Sequence, residues 1–155
     1  LNILFVCTGN TCRSSMAEGM LRDMLRKRGI NGIDVSSAGI AAIPGTCASL
    51  NAIRVMQKRG IDLSGHIARR LDQDMLKKAD LVLTMTEGHK IAIQAAEPSV
   101  WSKIYTLREY AGLEGMDIKD PYGGSEADYE SCLSEIEQAL GILVSKLGEE
   151  ADGQR

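Results

Sequence analysis

Aromatic side chains are scarce in this chain, with one Trp and one Phe among 155 residues, so a buried core must be built from aliphatic groups. Histidine is scarce too: there are two isolated His residues and no C-x2-C pair, which leaves no set with metal-ligand spacing. No stretch approaches the ~20 apolar residues of a membrane span. The opening run Leu1-Asn2-Ile3-Leu4-Phe5-Val6 is too short and too uncharged at its front for a signal peptide. Leu1 has no Met before it, so the start is expected to be trimmed or renumbered. Basic charge is not in excess, since 18 Lys and Arg stand against 21 Asp and Glu for a net charge of -3. That balance gives no electrostatic footprint for nucleic acid and no polybasic surface for anionic lipid. A cytoplasmic protein is expected, with no metal or cofactor and neither nucleic acid nor membrane as partner.

The remaining composition, 44% hydrophobic and 25% charged, is that of an ordinary globular protein, and the length fits one domain. We read residues 1–148 as that domain and 149–155 as a frayed polar tail. Along the chain, apolar β-prone runs alternate with helical spacing. Strands are predicted at 1–6, 33–36, 80–84 and 104–107. Helices are predicted from Met16 to Gly29, from Leu50 to Gly60, from Asp72 to Lys78, around Glu87 to Ala95, and from about Glu126 to Leu147. Such βα alternation predicts an α/β fold, a four-stranded parallel sheet with helices on both faces. Ligands of open α/β sheets bind beyond the carboxyl ends of the strands, so the loop after the first strand is the first place to look for chemistry.

That loop reads Cys7-Thr8-Gly9-Asn10-Thr11-Cys12-Arg13-Ser14, a C-x5-R-S pattern between a buried strand and a helix start. Gly9 and Asn10 tolerate the backbone angles that make consecutive N–H groups converge, and the helix N-terminus adds partial positive charge. A nest of this kind binds a tetrahedral dianion. Its donors also favour a thiolate on Cys7, which makes that sulfur a candidate nucleophile. Arg13 carries a planar fork able to bind two equatorial phosphoryl oxygens and follow them into a trigonal-bipyramidal transition state. Ser14 can donate a hydrogen bond to the sulfur. A nucleotide-binding P-loop is a poor competitor, because Cys12 and Arg13 stand where Gly and Lys are needed. The second signal is Asp120-Pro121-Tyr122-Gly123-Gly124, where a rigid turn presents Asp120 as a candidate general acid from a separate loop.

Taken together these residues resemble the low-molecular-weight protein-tyrosine-phosphatase family. The likeness rests on Val6 to Ser14, Met16-Ala17-Glu18, Ser36-Ser37-Ala38-Gly39, His66-Ile67-Ala68-Arg69, Asp80-Leu81-Val82-Leu83 and Asp120-Pro121, in that order along nearly the whole chain. The resemblance implies Cys7 as nucleophile, Arg13 as phosphate and transition-state ligand, and Asp120 as the acid of phosphoryl transfer and the base of hydrolysis. It implies phosphate binding by residues 8–14, namely Thr8, Gly9, Asn10, Thr11, Cys12, Arg13 and Ser14, and a supporting network of Asn10, Ser37 and His66. His89, on a polar helix, is given no role. The chain departs from the family at Ser15, where Pro is usual at the helix start.

Thr11 within this loop and the Asp-Pro-aromatic-Gly-Gly run look like the bacterial protein-arginine-phosphatase branch. Thr11 and Tyr122 are therefore the expected selectivity residues, because a short hydroxylated side chain suits a guanidinium better than a phenyl ring, and Gly123 removes a second aromatic wall. Phosphorylated proteins are the expected partners, with phosphoarginine favoured and phosphotyrosine the alternative, and a monomer is expected. Thiol-coupled arsenate reduction needs relay cysteines that 79–94 lacks. A non-catalytic phosphate-binding module would need neither thiolate nor acid. Cys12 is expected to form a reversible disulfide with Cys7 on oxidation, while Cys47 and Cys132 read as small buried or half-buried residues.

Overall fold

The computed structural model describes residues 1–153. The first strand, β1 (Asn2–Cys7), is apolar and fully buried from Ile3 onward, and it forms the middle of the sheet. It pairs in parallel with β2 (Asp34–Gly39) on one side and with β3 (Leu81–Thr84) on the other. The last strand, β4 (Ile104–Thr106), pairs with β3, so the sheet order is β2-β1-β3-β4. Strand order reverses between β1 and β3, the topological switch point of such a sheet, and the crevice beyond their carboxyl ends is the place for a ligand.

Side chains alternate across β1, and each set meets its own layer. Ile3, Phe5 and Cys7 pack into the larger core with helices α1 (Arg13–Lys27), α2 (Leu50–Gln57), a five-residue α5 (Leu107–Ala111) and the long α6 (Glu126–Gly153). Leu4 and Val6 face a smaller core built with Leu76 of α3 (Gln73–Lys78) and Ile93 of α4 (Glu87–Ala96). The predicted four-stranded parallel sheet with helices on both faces is the fold observed.

Several element ends follow from capping rather than periodicity. Asp72 accepts from the Met75 amide and Thr86 from the His89 amide, which satisfies orphan donors at the starts of α3 and α4. Thr106 and Glu109 form a reciprocal capping box that opens α5, a helix the sequence reading missed by extending the strand through Leu107. Residues 149–153, read as a frayed tail, continue α6. Gly148 does not stop the helix because it is buried within it, and Glu149, Glu150 and Ala151 are good helix formers. The rest of the predicted tail lies outside the described residues. Among the described residues no helix is long and apolar enough to cross a membrane.

Candidate active site

The turn between β1 and α1 bends back on itself at Asn10, whose φ of 58° is the one positive value among the described non-glycine residues. Gly9, expected to share that conformation, does not; its bare backbone instead lines the cavity above Cys7. Asn10 is completely buried and spends every polar atom of its side chain. Its Nδ2 donates to Ser14 Oγ at 2.9 Å and to Ser37 Oγ at 2.8 Å, and its Oδ1 accepts from the Arg69 amide at 2.9 Å. The Asn10 carbonyl can only accept, so the 2.7 Å contact with His66 Nε2 places a proton on that ring nitrogen.

These bonds fix the direction of the rest. Because Ser37 Oγ accepts from Asn10, its hydroxyl proton goes to Glu18 Oε1 at 2.8 Å. Ser14 Oγ, which also accepts from Asn10, lies 2.8 Å from Cys7 Sγ, and its own proton is free to serve that sulfur. The Asn10 backbone N–H adds a second donor to the same sulfur at 3.3 Å. Two potential donors thus converge on the one sulfur.

Arg13 opens α1 and is 4% exposed. A buried guanidinium needs partners. Its Nη1 donates to the Ile118 carbonyl at 2.9 Å, and its Nη2 lies 3.5 Å from Asp120 Oδ2. Asp120 is held in turn by the Tyr122 amide, which donates to Oδ1 at 3.0 Å across Pro121. A cavity of about 290 Å³ is lined by Cys7, Thr8, Gly9, Thr11, Cys12, Arg13, Asp120 and Tyr122, so eight of the expected residues meet in one place. Asn10, Ser14, Ser37 and His66 stand behind it as the bonds above describe. Ser15, where Pro was expected, donates to the Cys12 carbonyl at 2.9 Å inside the first turn of α1.

Sequence reasoning missed part of the wall. Ala41, Ile43 and Thr46, from the segment after β2, complete the cavity, and Ile43 and Tyr122 are each 75% exposed at its rim. It also gave Gly39 no physical reason, although a Cβ there would lie 2.5 Å from the Thr8 carbonyl oxygen and 2.8 Å from the Asn10 amide nitrogen. His89, left without a role, touches Thr8 Oγ1 through Nε2 at 2.9 Å. Its burial first, and then the Arg13 guanidinium, hold its imidazole below the usual histidine range.

All four cysteines are free thiols. Cys47 is exposed rather than buried, because it stands in the loop before α2 on an isolated bridge to Ile67, away from both cores. Cys12 Sγ lies 3.2 Å from Ser49 Oγ and 3.3 Å from Tyr129 Oη, a set of partners separate from those of Cys7.

The model for low molecular weight phosphotyrosine protein phosphatases matches residues 2–153 of this chain. The chain belongs to that family. Among its relatives, the protein-arginine-phosphatase of Bacillus subtilis (strain 168) is 37% identical over 147 residues, covering 95% of this chain and 97% of that protein. The probable low molecular weight protein-tyrosine-phosphatase EpsP of Ralstonia solanacearum is 39% identical over 145 residues, 94% of each chain. A solved structure of the YwlE arginine phosphatase, a cysteine-to-serine mutant with a phosphorylated active site serine, is 36% identical. It superposes with a TM-score of 0.91 over 96% of both chains.

Proposed function

We propose that this phosphatase removes phosphoryl groups from arginine side chains of proteins through a cysteinyl-phosphate on Cys7. The single observation that carries the reading is the meeting of Cys7, Thr11, Arg13 and Asp120 on one small cavity. In the first step the Cys7 thiolate attacks phosphorus as the phosphorus–nitrogen bond breaks, and Asp120, protonated, gives its proton to the departing guanidine nitrogen. The amides of residues 8–14 and the Arg13 fork hold the three equatorial oxygens. In the second step Asp120, now a carboxylate, takes a proton from the water that attacks phosphorus. Cys7 leaves as thiolate while the Ser14 hydroxyl donates to it.

Thr11 supports the guanidinium as leaving group. Its hydroxyl and small volume leave a polar, roomy wall beside the phosphate, and Asp120 can hydrogen-bond the guanidine nitrogen that it protonates, then pair as a carboxylate with the guanidinium that has left. Phosphotyrosine is the second reading, favoured by the exposed Ile43 and Tyr122 side chains that could flank a phenyl ring at the rim. Turnover on matched phosphoarginine and phosphotyrosine peptides decides between them. Phosphoarginine is expected to win, and Thr11→Ile is expected to move preference toward phosphotyrosine. Strong phosphotyrosine selectivity in the unmodified protein ends the arginine assignment. A Cys7→Ser protein that hydrolyses p-nitrophenyl phosphate as fast as the parent ends the covalent mechanism.

A further inference from the structure

The crevice at the switch point is spanned by a side chain with no part in the chemistry above. His89 lies in the first turn of α4, just after β3, and both of its ring nitrogens are engaged. Nδ1 is 2.9 Å from Thr86 Oγ1, and Nε2 is 2.9 Å from Thr8 Oγ1, the residue after Cys7 on the cavity wall. Thr86 is itself tied down, because its Oγ1 accepts the His89 amide at 3.1 Å and its carbonyl accepts from Thr84 Oγ1 at 2.8 Å. One imidazole thus joins the loop after β1 to the turn after β3.

The far side of that turn holds the segment bearing Asp120. The Glu87 amide donates to Asp117 Oδ1 at 2.8 Å, and the Ile118 amide donates to the Met85 carbonyl at 2.8 Å. The Ile118 carbonyl in turn receives Arg13 Nη1. The turn from Met85 to His89 is therefore a common anchor for the two loops that must meet across a phosphoryl group.

We propose that His89 is a positioning residue for dephosphorylation: bonded at both ring nitrogens, it fixes the Thr8 hydroxyl and locks the phosphate loop to the turn that also anchors the Asp120 segment. This rests on the phosphatase reading of the site but not on which phosphoresidue is the substrate. A neutral ring offers one donor and one acceptor, which matches two hydroxyl partners able to serve as either. A protonated ring offers two donors. Thr8 Oγ1 must then accept, and any arrangement in which its proton pointed at Nε2 is lost. The groups facing the ring work against one another. Arg13 opposes a charged imidazole as burial does, whereas Asp117 and Asp120 favour it, and the outcome is a ring kept neutral.

The test is a double-mutant cycle on p-nitrophenyl phosphate with His89→Phe, Thr8→Val and the pair, each checked for folding by its melting temperature. His89→Phe keeps volume and removes the bond, and a fall of about three- to tenfold in kcat/KM is expected, carried mainly by kcat. Thr8→Val breaks the same bond without touching α4, which keeps the test open if His89→Phe folds poorly. The double variant is expected to lose no more than the worse single one, because the shared bond is broken only once. His89→Gln, which can still reach Thr8 but cannot titrate, is expected to stay within about threefold of the parent. Its kcat/KM should fall less steeply at acid pH than the parent's does. Additive losses in the double variant, or a Gln variant as poor as Phe with an unchanged pH profile, would overturn the proposal by reducing His89 to packing. Absence of any turnover in the parent would instead remove the phosphatase reading, and with it the proposal. The two failures are told apart before a variant is made.

Discussion

Arg13 and Asp120 face each other across the cavity, Nη2 to Oδ2 at 3.5 Å, with the carboxylate 47% exposed and the guanidinium 4%. The pair gives the buried cation a counter-charge and also aims the carboxyl at the phosphoryl group that Arg13 would hold. Asp120→Asn keeps the shape and the turn but has no proton to give. On a phosphoarginine peptide kcat is expected to fall by about 10²–10⁴. The loss should be smaller on p-nitrophenyl phosphate, whose leaving group needs less help. Steady-state kinetics on both substrates checks this, and equal losses would count against Asp120 as the acid.

Gly39 closes the end of β2 directly behind the phosphate loop. In Gly39→Ala the new Cβ would press on the Thr8 carbonyl oxygen at 2.5 Å and the Asn10 nitrogen at 2.8 Å, both backbone atoms with no rotamer to escape into. The loop must shift. Stability should drop by about 1–3 kcal/mol, and activity by about 100-fold because the nest is displaced from its working geometry. Thermal melts and kinetics on one preparation separate the two effects.

Asn10 combines a backbone and a side-chain role that two substitutions pull apart. Asn10→Gly tolerates the positive φ yet deletes the bonds to Ser14, Ser37 and the Arg69 amide, whereas Asn10→Ala deletes the same bonds and adds left-handed strain. Both should lose most activity, since Ser14 loses the bond that holds its hydroxyl beside the Cys7 sulfur. The Ala variant should be less stable than the Gly variant by about 1 kcal/mol. Denaturant unfolding of the pair measures that difference.

The four-stranded parallel sheet with helices on both faces was legible because β1 and β3 are largely apolar runs and the longer helices carry a 3.6-residue stripe, whereas the strand order appears only in the structure. The phosphate loop was legible because its signal is local, with strand, Gly-Asn and helix start in eight residues. What escaped was short or distant. Helix α5 has only five residues, too few for periodicity, although Thr106 and Glu109 sit at capping-box spacing. His89 gave no signal at all, since its partner Thr8 comes from the loop on the other side of the switch point. The cavity wall at Ala41, Ile43 and Thr46 likewise exists only once the segment after β2 folds over the loop. Gly148 misled by resembling a helix stop while being buried inside α6.

The cysteines should separate by reactivity. Cys132 is buried, and burial pushes its thiol up to about 12, so it stays protonated at neutral pH and should resist iodoacetamide until the protein unfolds. Cys47, exposed in its loop, should react readily. Peptide mapping by mass spectrometry with and without denaturant checks both. Rapid native labelling of Cys132 would contradict the packing of α6.

Arg59 ties the segment after α2 to α6 through Glu130 and Glu137 and predicts an acid limb of stability. Its hydrogen bond holds the Glu130 carboxyl below the ordinary glutamate range, with burial opposing the effect. A carboxyl whose folded value is lowered contributes stability that is fully present above the unfolded value and is lost as pH falls through the folded one. The parent should therefore lose this contribution below about pH 4. Arg59→Ala should cost about 1 kcal/mol at neutral pH, and the gap between variant and parent should close on acidification and narrow in high salt. Paired urea titrations at neutral and acid pH measure the gap. A gap of constant size across that range would mean that Arg59 acts by packing its aliphatic stem, since that packing does not depend on the protonation of Glu130.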